Sequence, residues 1–201
     1  MNVISNVLYW ISTGLLVPVI VLLIIFFIRA IVLIGVFFGQ YLNEKKNSSA
    51  VFDKIQKLTP DTVSGFSRLL SETSGSVLAS YAGRIIDESG SRSRIELLLA
   101  QYELEADRNI ATSRVLTKMG PILGLMGTLI PMGPALVGLA SGDISSMAYN
   151  MQVAFATTVV GLVISAIGFL TQQAKERWAV KNLTILEYLA DIVAQTETLS
   201  K

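Results

Sequence analysis

Charged side chains leave three long gaps along this chain. Residues 7–38 carry Arg29 as their single charge, residues 119–142 lie between Lys118 and Asp143, and residues 144–174 lie between Asp143 and Lys175. A helix crosses the hydrocarbon core of a bilayer with roughly 20 apolar residues. Each run is long enough, so the pattern predicts three transmembrane helices. The first run is longer than a bilayer needs, at roughly 48 Å as a helix. Its helix either tilts or continues into the cytoplasm beyond Arg29. Near a membrane boundary an arginine usually snorkels to the headgroups, and the other use for Arg29 is pairing inside an assembly. A cleavable signal is not expected, because residues 1–10 contain no basic start and the apolar stretch exceeds the about 7–15 residues of a signal core.

Outside the gaps the pattern becomes polar and helical. Residues 91–118, SRSRIELLLAQYELEADRNIATSRVLTK, contain neither Pro nor Gly and are rich in helix formers. They predict a helix that runs without interruption into the second span. After Lys175, apolar residues recur at Trp178, Ile185, Leu186, Leu189, Ile192 and Val193, which predicts an amphipathic continuation of the third span. Residues 47–50 and 59–65 read as turns or helix junctions.

Basic residues set the orientation. Lys45, Lys46 and Lys54 follow the first span, Arg114 and Lys118 precede the second, and Lys175, Arg177 and Lys181 follow the third. No Lys or Arg precedes the first span, and none occurs in residues 141–147. The N-terminus is therefore expected outside and the C-terminus in the cytoplasm. The predicted fold class is an all-α integral membrane protein, three transmembrane helices with long cytoplasmic helical extensions. Its expected segments are a first transmembrane helix over 1–39, a cytoplasmic helical region over 40–118, and a second transmembrane helix over 119–142. A short outer loop over 143–147, a third transmembrane helix over 148–174 and a cytoplasmic amphipathic helix over 175–201 complete it.

Composition narrows the chemistry. The chain is 52% hydrophobic and 15% charged, against about 25% charged in ordinary soluble domains. A net charge of +1 gives no electrostatic case for nucleic acid. Without cysteine or histidine there is no disulfide, no thiolate chemistry and none of the common metal sites, so no metal and no cofactor are expected. An enzyme is not expected either, since a catalytic cluster needs convergent acid, base or nucleophile groups. Asp143 is the one charged side chain on the outer side, and Glu96, Glu103, Glu105 and Asp107 read as a solvated helix face.

Within the second and third spans the small residues form stripes. Steps of three and four residues connect Thr117, Pro121, Gly124, Thr128, Pro131, Ala135, Gly138 and Gly142 in one span. The same walk connects Asn150, Ala154, Thr158, Gly161, Ser165, Gly168 and Gln172 in the other. Each stripe is one helix face. Close helix packing explains such faces without any channel. The second reading is a narrow, partly hydrated path or a close contact with another polypeptide. Thr128 and Thr158, with Thr157, Gly124, Gly161, Ser165 and Asn150, are the candidates to line that path, and Pro131 and Pro134 offer a kink. No span contains a carboxylate. A proton relay therefore needs a titratable group from a second subunit.

These residues carry a resemblance. The stretch RNIATSRVLTKMGPILGLMGTLIPMGPALVGLA, residues 108–140, is similar to the second-span region of the MotA, TolQ and ExbB proton-channel family. Its GLMGT core, Gly124 to Thr128, matches the family's GL-x-GT pattern, with Pro121 three residues ahead. In QVAFATTVVGLVISAIG, residues 152–168, Thr157, Thr158, Gly161 and Leu162 match the A-T-x-x-GL element of the third span. The layout of three spans resembles the TolQ and ExbB branch. The resemblance implies a homo-oligomer in the cytoplasmic (inner) membrane, typically a pentamer, with spans two and three lining a central pore. It implies two copies of an ExbD/TolR-like single-span partner that supplies a membrane aspartate, and proton passage coupled to mechanical work. The family's pore threonines fall on Thr128 and Thr158. A third-span glutamate common in the ExbB branch falls on Val153, and Pro131 and Pro134 also depart from that branch. The alternative is a non-conducting oligomeric membrane scaffold.

Overall fold

A computed structural model describes residues 2–55, 77–88 and 91–199. The described residues form four helices and no strand: α1 (Asn2–Ile55), α2 (Val77–Asp87), α3 (Arg92–Ala140) and α4 (Ile144–Leu199). Three of them, α1, α3 and α4, are long and apolar enough to cross a membrane, so the all-α membrane class holds. Residues 47–50 do not form a turn; α1 runs through them. The Asn-Ser-Ser sequence there lacks the Pro or Gly that would break a helix. The junction expected over 59–65 lies outside the described residues.

The chain divides into two compact units. The first contains Met1–Gly35 and Thr112–Gln172. Its apolar core joins Val19, Leu23, Ala30 and Leu33 of α1 to Leu116, Leu123 and Ile130 of α3 and to Ile164 of α4. The α1 residues recur at three-, four- and seven-residue steps, which makes them one helix face. On the other side of α3 and α4, Leu125, Leu129, Leu136, Val159 and Leu162 are exposed, as lipid contact requires.

The connection between α3 and α4 is shorter than the expected 143–147 loop. Only residues 141–143 are non-helical, and Ile144 to Met147 already form the first turn of α4. Gly142 takes a left-handed φ of 77°, and the Asp143 amide donates to the Gly138 carbonyl at 2.8 Å, closing the end of α3. The Asp143 carboxylate then accepts the Ser146 amide at 3.0 Å and caps α4. Asp143 thus closes α3 with its amide and opens α4 with its carboxylate.

The second unit contains Val36–Ala111 and Gln173–Lys201. Its core is Leu78, Tyr81, Ala82 and Ile85 of α2, Ile95, Leu98 and Tyr102 of α3, and Ile185, Leu186, Leu189 and Val193 of α4. Four of these α4 residues belong to the apolar pattern of the tail. Trp178, from the same pattern, stacks on Phe37 of α1 at 5.4 Å and 10°. Tyr81 meets Tyr102 edge-on at 5.4 Å, and its hydroxyl donates to Glu105 at 2.8 Å. Burial, and then the Glu105 carboxylate, raise the Tyr81 phenol above its usual value. Glu105 is itself exposed, and this bond links it to the core of the unit.

Candidate ion pathway and helix seam

In the first unit α3 and α4 pack antiparallel along their small faces. A Cβ on Gly161 would lie 2.6 Å from the Gly120 carbonyl and 2.8 Å from Gly124 Cα. A Cβ on Gly168 would lie 2.6 Å from the Thr117 amide nitrogen. Real side chains do not fit at these distances, so glycine there sets the approach of the two backbones. Near the turn, Gly138 meets the Asp143 carbonyl and the Met147 amide. At the other end hydroxyls bridge the helices. Ser165 Oγ donates to the Thr117 carbonyl at 3.0 Å, and Thr171 Oγ1 donates to Ser113 Oγ at 3.2 Å. Ser113 and Thr171 are buried. Thr171 Oγ1 also lies 2.8 and 3.0 Å from the Ile167 and Gly168 carbonyls of its own helix, so its one proton is shared between the bridge and the backbone.

The candidate pathway residues separate into two groups. Gly124, Thr157, Gly161 and Ser165 lie within the contact between α3 and α4 of the one chain. Thr157 is buried against Gly127, and its hydroxyl donates to the carbonyls of Val153 and Ala154 at 3.0 and 2.9 Å. Thr128, Thr158 and Asn150 are only half-buried. Thr128 Oγ1 donates to the Leu125 carbonyl at 2.7 Å, Thr158 Oγ1 to Ala154 at 3.0 Å, and Asn150 Nδ2 to Ser146 at 2.8 Å. The threonine bonds use the hydroxyl proton and the Asn150 bond one of two amide protons, and each leaves the side-chain oxygen able to accept from water or from a protonated carboxyl. Pro131 is fully buried and Pro134 half-buried, and α3 continues through both as a single helix.

Four seam residues lie off the two small-residue stripes: Gly120, Gly127, Ser113 and Thr171. Gly120 and Gly124 form a G-x-x-x-G pair, a spacing that signals close helix approach. Nothing in the sequence marks Ser113 and Thr171 as partners, because they meet across helices that are far apart in the chain.

Asp143, in the turn between α3 and α4, is the single carboxylate of this unit, since residues 1–35, 112–142 and 144–172 contain no Asp or Glu. Between Lys118 and Lys175 the helix pair therefore offers hydroxyl and carbonyl oxygens, with Asp143 in the turn as its one charged side chain. In the second unit, Lys175 Nζ donates to the Asn109 carbonyl at 3.2 Å, and partial burial lowers its pKa.

A sequence model of the MotA/TolQ/ExbB proton channel family matches residues 72–187, more than half of the chain. The chain belongs to the MotA/TolQ/ExbB proton channel family. The match takes in all of α2 and α3 and most of α4, including both elements of the seam. No curated protein and no solved structure matches the chain. Membership of this channel family, with three helices able to cross a bilayer, makes it a multi-pass membrane protein.

Proposed function

We propose that the chain is the multi-span subunit of an energy-transducing proton channel driven by the proton-motive force. In this reading it follows the TolQ and ExbB layout in the cytoplasmic membrane, N-terminus outside and C-terminus inside. Five copies surround two copies of an ExbD/TolR-like single-span partner. The observation that carries the reading is the half-open side of a carboxylate-free helix pair, on which Thr128 and Thr158 keep accepting oxygens. A partner aspartate beside them would complete a proton relay that this chain lacks. The chain's own part is to line the path and hydrogen-bond that carboxyl, with no catalysis. Gly124, Thr157, Gly161 and Ser165 hold the helix pair together behind the lining, and Pro131 and Pro134 are the positions where α3 can bend.

A scaffold that conducts nothing is the second reading. It is favoured by the tight Gly120–Gly161 contact and by threonine hydroxyls that already have backbone acceptors. Native mass spectrometry of the complex, purified from its own membranes in mild detergent, separates the two. Five copies with two of a small single-span protein are expected. A homo-oligomer with no such companion leaves the path without a titratable group and overturns the channel reading.

A further inference from the structure

The charged side chains of the first unit sort by level. They are Arg29, Arg114, Lys118 and Asp143. A Cβ on Gly133 would lie 3.8 Å from Tyr9 Cε2, so α1 and α3 meet there. The core that joins Leu23 and Leu33 to Leu116 and Leu123 then carries α1 back along α3, antiparallel to it. From the Tyr9 contact, Arg29 is 20 residues along α1, and Arg114 is 19 residues along α3 in the other chain direction. Both therefore lie roughly 28–30 Å away, at one level. Lys118 is one turn nearer the contact, about 6 Å, which its side chain spans by extending toward the level of Arg114. Asp143 is in the turn between α3 and α4, at the opposite end.

The level of the Tyr9 contact is aromatic. Trp10 follows Tyr9 and is 76% exposed. Gly138 meets the Met147 amide, so antiparallel α4 brings Tyr149, 68% exposed, within about a turn of Gly133. Trp and Tyr collect where hydrocarbon meets water, and a hydrocarbon core is about 30 Å thick. The aromatic and cationic levels have that spacing. Arg29 shares a helix face with Leu22, Ile25 and Val32, and Lys118 shares one with Ile122, Leu125 and Leu129, all of them exposed. A cation on such an apolar face needs a counter-charge. This unit has no carboxylate at that level, and among the described residues neither Arg29 nor Lys118 forms a salt bridge.

We propose that Arg29, Arg114 and Lys118 form a layer that binds the phosphates of anionic phospholipid headgroups, while Tyr9, Trp10 and Tyr149 mark the opposite face of the bilayer. The proposal goes beyond the channel reading and holds equally for a scaffold. It assigns Arg29 to lipid rather than to pairing inside an assembly. It also divides the first apolar run, with Tyr9 to Arg29 crossing the hydrocarbon and Val32 already at the headgroups.

Two measurements test it. The purified complex is offered equal amounts of phosphatidylglycerol and phosphatidylcholine, and the lipid it retains is read by native mass spectrometry. Phosphatidylglycerol is expected in excess. Arg29→Gln with Lys118→Gln should lower that preference about two- to fivefold, and Arg29→Lys with Lys118→Arg should keep it. Equal retention of the two lipids, an unchanged preference in the glutamine variant, or loss of assembly in that variant would each overturn the proposal, the last by assigning the cations to subunit pairing. Inorganic phosphate in excess should not displace the lipid; displacement would assign the layer to a soluble anion. The second measurement needs no change to the cations. The chain has no cysteine, so Leu22→Cys and Val32→Cys each take a single nitroxide label in the complex, reconstituted in vesicles of the two lipids. The label at 22 should meet oxygen and be shielded from a water-soluble nickel chelate, and the label at 32 should meet the chelate. A label at 32 as deep as the one at 22 would place Arg29 inside the hydrocarbon and overturn the layer.

Discussion

Two glycines show how one atom decides a position. Gly161 lies where an added Cβ would meet the Gly120 carbonyl at 2.6 Å, whereas Gly83 in α2 has nothing within 4 Å. Gly161→Ala is therefore expected to cost about 1–3 kcal/mol through forced separation of α3 and α4. Gly83→Ala is expected to gain about 0.5–1 kcal/mol, as helix propensity alone dictates. Thermal unfolding of the detergent-solubilised protein, followed by circular dichroism, reads both. Equal tolerance of the two substitutions would show that the seam is looser than these distances imply. Thr157 and Thr158 make a similar contrast. They are neighbours in sequence, yet one is enclosed in the seam and the other is half-open.

At the scale of elements, α3 and α4 behave as one hairpin in the first unit. Glycine contacts join them near the turn and midway, and hydroxyl bridges join them at the far end. Contacts between the pair and α1 are aliphatic and aromatic, through Leu23, Leu33, Leu123 and Ile164 with Phe26 and Phe27 alongside. Sliding α3 along α4 would break backbone-close contacts, while apolar surfaces can shift with less penalty. Ser113→Cys with Thr171→Cys tests this rigidity. The parent oxygens are 3.2 Å apart, and a disulfide needs about 2.05 Å between sulfurs. The bond is expected to form on oxidation and to leave proton flux of the assembled complex within about twofold of the reduced form. Loss of flux on oxidation, regained on reduction, would show that the helices slide.

This hairpin also marks what the sequence makes legible. The long uncharged runs disclose three spans, and the unbroken helix formers of 91–118 disclose the length of α3. Spacings of three and four show that each span has a small face. They do not show that Gly124 and Gly161 face each other while Thr128 and Thr158 lie to the side. Helical spacing gives an azimuth within one helix, and the azimuth of the neighbour is fixed only by packing. Residues 47–50 misled for a different reason: Asn and Ser favour turns weakly, and a long helix can absorb them.

For the whole molecule, the central claim is that the open side of the hairpin conducts protons once a partner supplies an acid. The hairpin alone lacks the titratable group, so isolated subunits should not conduct, and the complete complex should. Within the complex, Thr158→Val keeps the side-chain shape but removes the accepting oxygen, so assembly should survive while conduction suffers. The most direct measurement is proton flux into liposomes holding the whole complex under an imposed membrane potential, with wild type and Thr158→Val compared at equal assembled amounts. A fall of about tenfold or more, the equivalent of one hydrogen bond lost from the path, is the expected result. Unchanged flux through a fully assembled Thr158→Val complex would contradict the account.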